Sequence, residues 1–108
     1  DARGNDDLTT IAKGMADVGL YNEASHLMNE LPVKHQQQVL KRLISRSRDD
    51  GDYENAFTYL ARIDIKDTNY RSFAINNMLV EIEKNNAFDR VLVEQAFDAL
   101  NDSGLLLN

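Results

Sequence analysis

The 108-residue chain contains no cysteine and only one proline. Without cysteine it can form neither a disulfide bond nor a thiolate metal site, and a reducing compartment is compatible with this composition. No apolar run approaches the length of about 18 residues that a transmembrane helix needs. The first seven residues also lack the apolar segment of a signal peptide. We therefore expect a cytoplasmic protein or a soluble intracellular domain of a larger one.

Positive charge is scarce as well. The chain has 12 Lys and Arg against 18 Asp and Glu, which gives a net charge of −6. Such a surface repels nucleic-acid phosphates and anionic lipids on average, so neither nucleic acid nor a membrane is expected as a partner. The length suits one domain with its own core. Because the chain starts at Asp1 without Met and ends near an apolar run at 105–107, we expect a fragment of a longer protein.

A short motif, Gly-x-Tyr-x-x-Ala, occurs twice, and its copies begin at Gly19 and at Gly51, 32 residues apart. A looser third copy consists of Asn86, Phe88 and Val91, and its aromatic residue follows that of the second copy by 35 residues. Similarity at an interval of about 20–50 residues is typical of stacked repeats. Gly and Asn are the residues that most readily adopt the left-handed conformation, and many helices end at a residue in this conformation. Each copy therefore predicts a tight turn between two helices.

Apolar residues recur at steps of three and four residues on both sides of each turn, which predicts helices. The expected helices have the approximate bounds 6–18, 21–31, 35–50, 53–63, 68–84 and 89–101. Pro32 ends the first pair because proline cannot continue a helix, and Asp67 or Thr68 is expected to cap the fifth helix. The predicted domain covers residues 6–104, in units of about 6–32, 33–66 and 67–104, with flexible ends at 1–5 and 105–108.

The turns and their spacing resemble tetratricopeptide repeats over about residues 6–100. The resemblance implies an all-α fold of three antiparallel helical hairpins, about six helices, stacked as a short right-handed α-solenoid. It also implies that the first helix of each hairpin lines a groove that binds a partner peptide or helix. The small residue that the family has in the first helix is present as Ala12, but Ile44 and Leu79 replace it in the later units. The chain would thus be a divergent member.

The resemblance supplies candidate residues for such a groove on the three first helices. They are Thr9, Lys13, Gln38, Lys41, Ser45, Arg48, Phe73, Asn76 and Val80. The function this implies is a non-catalytic protein interaction or scaffold module. Its partner would be a protein or peptide, and no cofactor is expected.

Five basic residues lie in and just before the predicted third helix: Lys34, Lys41, Arg42, Arg46 and Arg48. One interpretation is a solvated helix face that Asp49, Asp50 and Glu54 partly neutralise. The other is a docking site for an acidic segment of the partner, held by charged hydrogen bonds. The sequence leaves both open.

Two further classes of function are weaker alternatives. A pentatricopeptide-like helical array would bind RNA, but it would need a basic groove. A helical metal-dependent enzyme would use Glu23 and His26, which share a helix face, yet di-iron bundles need two such pairs and further glutamates. His35 is expected to be an exposed residue at a helix start. We therefore still expect a protein interaction module without catalytic activity.

The last predicted helix is apolar around much of its circumference, with Val93, Phe97 and Leu100 on one face. A terminal repeat should instead be polar on its outer side. A continuing solenoid, a contact with another copy or the tail at 105–107 would each cover this face. We therefore include self-association through the last helix among the expectations.

Overall fold

The computed structural model describes residues 2–105, with six α-helices and no strand in that range. The helices are α1 (Ala2–Asp17), α2 (Tyr21–Met28), α3 (Val33–Asp49), α4 (Tyr53–Leu60), α5 (Thr68–Lys84) and α6 (Arg90–Asp102). The all-α prediction is therefore confirmed for the described residues. Residue 1 and residues 106–108, which were predicted to be flexible ends, lie outside them.

Three turns of the same kind follow α1, α3 and α5, and the sequence motif predicts all three. Gly19, Gly51 and Asn86 have positive φ angles of 86°, 79° and 52°. In each turn the next residue donates its backbone N–H to a carbonyl five residues earlier, as in Leu20 to Met15 at 2.8 Å. These bonds satisfy carbonyls that the end of a helix would leave without donors. The predicted role of the motif in ending helices is confirmed.

The helix bounds differ from the prediction by three or more residues at the start of α1 and at the ends of α2 and α4. Helix α1 begins at Ala2, so the helix includes residues 3–5, which have no apolar side chain. The second turn of α1 is held in place, because Thr9 donates to the Asn5 carbonyl at 2.6 Å and Asp6 contacts His35 at 3.1 Å. This part of the chain has no proline, and Gly4 keeps a helical conformation. The helix therefore continues from the anchored turn toward the N-terminus.

The other difference concerns the ends of α2 and α4, which stop at Met28 and Leu60, three residues before the predicted bounds. The chain continues in a tighter turn, in which Leu31 and Ile63 donate their N–H groups to the carbonyls of Met28 and Leu60. Leu31 and Ile63 remain buried in the core. The predicted helices were too long because the regular spacing of apolar residues continues after the helical hydrogen bonds end, as long as the chain still contacts the core.

Each turn brings two consecutive helices together, and the helix pairs are α1 with α2, α3 with α4, and α5 with α6. The core runs through all three pairs, and Ala24 and Ala56, the small residues of the motif, are completely buried in it. Alanine lets the two helices of a pair approach closely. The molecule is elongated, with dimensions of 45 × 29 × 17 Å.

The two junctions between successive pairs are built differently. At the first junction α1 packs closely along α3. At the second junction α5 does not pack closely on α3, and the third pair is held mainly by α4, which contacts α6 and α5. The layer of first helices is thus closed between α1 and α3 and open between α3 and α5.

Candidate functional site

Four of the five basic residues of α3 are paired with carboxylates, and two of these carboxylates, Asp17 and Asp67, are distant in sequence. Arg42 Nη1 lies 2.6 Å from Asp17 Oδ2, and Arg46 Nε lies 2.8 Å from Asp17 Oδ1. Hydrogen bonds from Arg42 and then Arg46 lower the pKa of Asp17 below its usual value of 3.8. Of the acids expected to neutralise the stripe, Asp49 does contact Arg46 and Arg48. The strongest neutralisation comes from α1, which the sequence did not indicate.

Replacing Asp17 with Asn tests this ion-pair cluster through its pH dependence. The folded-state pKa of Asp17 is lowered, so the pairing stabilises the fold above the unfolded value of 3.8 and is lost as pH falls through the folded pKa. We expect Asp17→Asn to lower the melting temperature at pH 7, by less than a core substitution because the groups are solvent-exposed. The deficit should disappear in strongly acidic buffer.

The matched control for this prediction is Arg42→Met, alone and combined with Asp17→Asn. The double-mutant cycle should show coupling at pH 7 and none at a pH below the folded pKa of Asp17. A deficit of Asp17→Asn that stays constant from pH 7 into the acid range would contradict the pairing.

Lys41 also has a distant partner, at the start of α5. Its Nζ lies 3.0 Å from Asp67 Oδ2 and 4.6 Å from the centre of the Tyr70 ring. The hydrogen bond from Lys41 lowers the pKa of Asp67, which is the N-cap residue of α5. Burial raises the pKa of Tyr70 to about 12. Lys41 thus spans the opening between α3 and α5, and its ammonium group contacts both the Asp67 carboxylate and the face of the Tyr70 ring.

A groove lies where α3 and α5 diverge. One part, with a volume of about 250 Å³, is lined by Lys41, Ile44, Ser45, Arg48, Tyr70, Phe73, Ala74 and Asn77. The adjoining part, with about 480 Å³, is lined by Arg48, Asp49, Asn77, Val80 and Glu81. Arg48 and Asn77 border both parts, so the two form one continuous depression along the helices. We call it the α3/α5 groove.

Eight of the nine predicted partner-binding residues fall into three groups. The α3/α5 groove brings together five of them: Lys41, Ser45, Arg48, Phe73 and Val80. Lys13 and Gln38 contact each other instead, with Lys13 Nζ 3.3 Å from Gln38 Oε1, at the closed junction between α1 and α3. Asn76 is exposed but lines neither part of the groove.

Thr9 requires a correction, because it cannot offer a binding surface. Only 3% of the residue is exposed, and its hydroxyl donates to the Asn5 carbonyl. Lys13, one turn further along α1, contacts α3, so the close packing of α1 on α3 covers this side of the helix. Transfer of the family's groove positions fails here because it assumes that every first helix is open to solvent on the same side.

Sequence reasoning missed Tyr70 and Asn77, which line the groove together with Phe73. These three residues are spaced by three and four positions in α5, so they share one face of the helix. That spacing was a signal in the sequence that could have found them. The pairing of Lys41 with Asp67 left no comparable signal, because the two are 26 residues apart.

A second cavity of about 320 Å³ lies between α4, α5 and α6, and it borders Arg71. Arg71 is only 2% exposed, and no carboxylate forms an ion pair with it among residues 2–105. Its guanidinium donates to the carbonyls of Leu60 and Ile63, at 3.0 and 2.7 Å, and to the Ser103 hydroxyl at 2.8 Å. Arg71 therefore closes the C-terminal end of α4, where carbonyls accumulate partial negative charge.

The residues considered for catalysis lie apart from both cavities. Glu23 and His26 are exposed on α2. His35 is not the exposed residue that was expected, because its side chain is only 19% exposed and its Nε2 lies 3.1 Å from Asp6 Oδ1. Within residues 2–105, no group of three or more potential metal ligands comes together.

None of the helices in the described part of the chain is both long and apolar enough to cross a membrane.

Comparison with known proteins identified no similar protein. No protein-family model, curated protein or solved structure matches the chain. The tetratricopeptide-like interpretation therefore depends on the residues, the turns and the helix pairs alone.

Proposed function

We propose that the chain is a non-catalytic protein interaction module, built as a divergent tetratricopeptide-like solenoid, that binds a segment of a partner protein in the α3/α5 groove. The groove carries the proposal, because it places exposed apolar side chains beside basic ones. Phe73 is 63% exposed and Val80 is 56% exposed, while Lys41 and Arg48 lie along the opposite wall. An exposed aromatic residue within a concave surface is a typical anchor for a partner.

The solenoid interpretation is supported by contacts that repeat from one helix pair to the next. The motif tyrosines reach forward into the following turn region. The Tyr21 hydroxyl contacts the Asp50 carboxylate and lies 3.2 Å from the Arg46 carbonyl. The Tyr53 hydroxyl accepts a hydrogen bond of 2.8 Å from Asn85 Nδ2. A side chain that links each pair to its successor is what a stacked array of repeats requires.

The chemistry of the groove favours a partner segment that combines acidic and apolar side chains. Lys41 and Arg48 already contact Asp67 and Asp49, so a carboxylate of the partner would exchange with these acids on the same cations. Exchange between carboxylates costs less than leaving a cation without a partner. Phe73 and Tyr70 would receive the apolar side chain. The net charge of −6 favours a peptide over RNA, because RNA carries a negative phosphate on every nucleotide, whereas a peptide needs to bring only a few carboxylates.

Selection from a random peptide display library tests the proposal without a known partner. We expect peptides selected on the wild-type chain to be rich in Asp or Glu together with aromatic or aliphatic residues. Their affinity, measured by calorimetry, should fall by about tenfold or more in Phe73→Ala and in the double variant Lys41→Gln/Arg48→Gln, since anchor residues carry more than about 1.4 kcal/mol each.

Phe97→Ala is the matched control, because Phe97 is 59% exposed and lies on α6, outside the groove. It should leave the affinity of the same peptides unchanged. Selected peptides that bind the groove variants as tightly as the wild type, or that lose affinity only in Phe97→Ala, would refute the α3/α5 groove as the site.

A further inference from the structure

The first helix pair exposes an apolar surface at positions that are buried in the other two pairs. Leu8 and Ile11 of α1 are 37% and 51% exposed. The matching residues one repeat later, Leu40 and Leu43 of α3, are buried. Ile75 and Met78 of α5, at the same positions in the third repeat, are also buried.

The difference between α1 and the later first helices has a simple cause. Helix α3 lies against α2 and α5 lies against α4, so each has a preceding pair that covers this side. Among the described residues no preceding pair covers α1. Val18 and Leu20, in the turn that follows α1, are also exposed, at 73% and 45%. We call these four residues, Leu8, Ile11, Val18 and Leu20, the leading face.

The opposite end of the molecule has an apolar strip on α6. Gln95 marks the side of α6 that meets α4, since its Nε2 lies 3.3 Å from the Glu54 carbonyl. Val93 and Phe97 are four residues apart and so share a different side, and both are more than half exposed. We call this strip, made of Val93 and Phe97, the trailing face.

Phe88 is also exposed near this end, and it occupies the motif position of Tyr21 and Tyr53. Those two tyrosines contact the helix pair that follows each of them. Within residues 2–105 no helix pair follows Phe88, and it is 43% exposed. The end of the molecule that carries the trailing face therefore presents an aromatic ring at the motif position that joins one pair to the next, without the hydroxyl group that Tyr21 and Tyr53 use.

We propose that the leading face of one molecule packs on the trailing face of a second copy, so that the chain assembles head to tail. Both halves of the contact occur on the same chain. Leu8 and Ile11 lie at positions that are buried in the later repeats, and the trailing face lies on the side of α6 away from Gln95, which meets α4. The two surfaces differ from each other, so the contact is heterologous. Each added molecule leaves one face of each kind free, and the assembly keeps growing unless it closes into a ring. Burial of several half-exposed apolar side chains would drive it.

The charge of the chain sets a condition for this assembly. A net charge of −6 makes two copies repel each other. Salt screens such repulsion between exposed charges, while apolar burial persists. Association by the proposed contact should therefore strengthen as the salt concentration rises from about 0.01 M to 0.5 M.

Sedimentation equilibrium tests the contact with two charge-introducing variants. Ile11→Glu disables the leading face and Phe97→Glu disables the trailing face, and both side chains are exposed, so the fold should survive. The wild type should show an average mass that rises continuously over roughly 10 μM to 1 mM. Each variant alone should stay monomeric over the same range. An equimolar mixture of the two should form a dimer and nothing larger, because one leading face and one trailing face remain intact.

Phe73→Glu is the matched control, since Phe73 is similarly exposed but lies in the α3/α5 groove. It should associate like the wild type. Circular dichroism of all variants confirms that they are folded. A wild-type chain that stays monomeric at 1 mM and high salt would overturn the proposal. It would also be overturned by Ile11→Glu dimerising normally while Phe97→Glu does not, which would indicate a symmetric contact between two trailing faces.

Discussion

Tyr53→Ala lowers the free energy of unfolding by about 3–5 kcal/mol, as expected for the loss of a large buried aromatic side chain. Tyr53 is only 6% exposed and belongs to the core that joins the second and third helix pairs. Its removal leaves a cavity at this junction and also deprives Asn85 of the hydroxyl to which it donates. Urea denaturation followed by circular dichroism measures the change, and the midpoint should fall without a change in slope.

Two companion variants separate the contributions to this loss. Tyr53→Phe keeps the ring and removes only the hydroxyl, so it should cost about 1 kcal/mol. Tyr21→Ala changes the same motif position in the first pair, where the tyrosine is only partly buried, and should cost clearly less than Tyr53→Ala. Equal losses for Tyr21→Ala and Tyr53→Ala would show that burial at the second junction is not the cause.

Arg71→Met is the second substitution with a large expected effect, a loss of about 2–4 kcal/mol. Methionine fills most of the same space, but it cannot donate to the carbonyls of Leu60 and Ile63 or to Ser103. A buried polar group left without its partner costs about 1–3 kcal/mol, and this applies to the Ile63 carbonyl and the Ser103 hydroxyl, whereas the Leu60 carbonyl keeps the N–H of Ile63. Thermal and urea unfolding measure the loss. Amide hydrogen exchange should accelerate most in the third helix pair, because Arg71 connects α5 with both α4 and the end of α6.

Arg90→Met is the control for this substitution, since it makes the same chemical change at a side chain that is 92% exposed on α6. It should leave the urea midpoint almost unchanged, as is usual for surface substitutions. Arg71→Lys keeps the charge but cannot span three acceptors with one ammonium group, so it should recover only part of the loss. Full stability in Arg71→Met would mean that water replaces the guanidinium at the end of α4.

The turns and the helices could be predicted from the sequence because their causes are local. Gly19, Gly51 and Asn86 lie in left-handed turns whose hydrogen bonds span only a few residues. Apolar spacing likewise depends on neighbours within one helix. The bounds were wrong where a distant contact decides them, as at the start of α1, where Asp6 contacts His35.

The groove could be predicted only in part, because its existence depends on how far apart two helices lie. Thr9 and Lys41 are equivalent positions in successive repeats. Thr9 is covered because α1 and α3 pack closely, while Lys41 borders a groove because α3 and α5 diverge. The third pair is held instead by contacts of α4 with α5 and α6 and by Arg71, which join residues far apart in the sequence.

The closed and open junctions have a consequence for how the chain folds. Helices contact mainly their immediate or second neighbours along the sequence. Forming such contacts closes only short loops, and proteins with mainly local contacts fold in microseconds to milliseconds. Each helix pair can nucleate on its own turn and add its neighbour afterwards. The third pair, which lacks close packing between α3 and α5, would then be the last to attach and the first to open during native-state fluctuations.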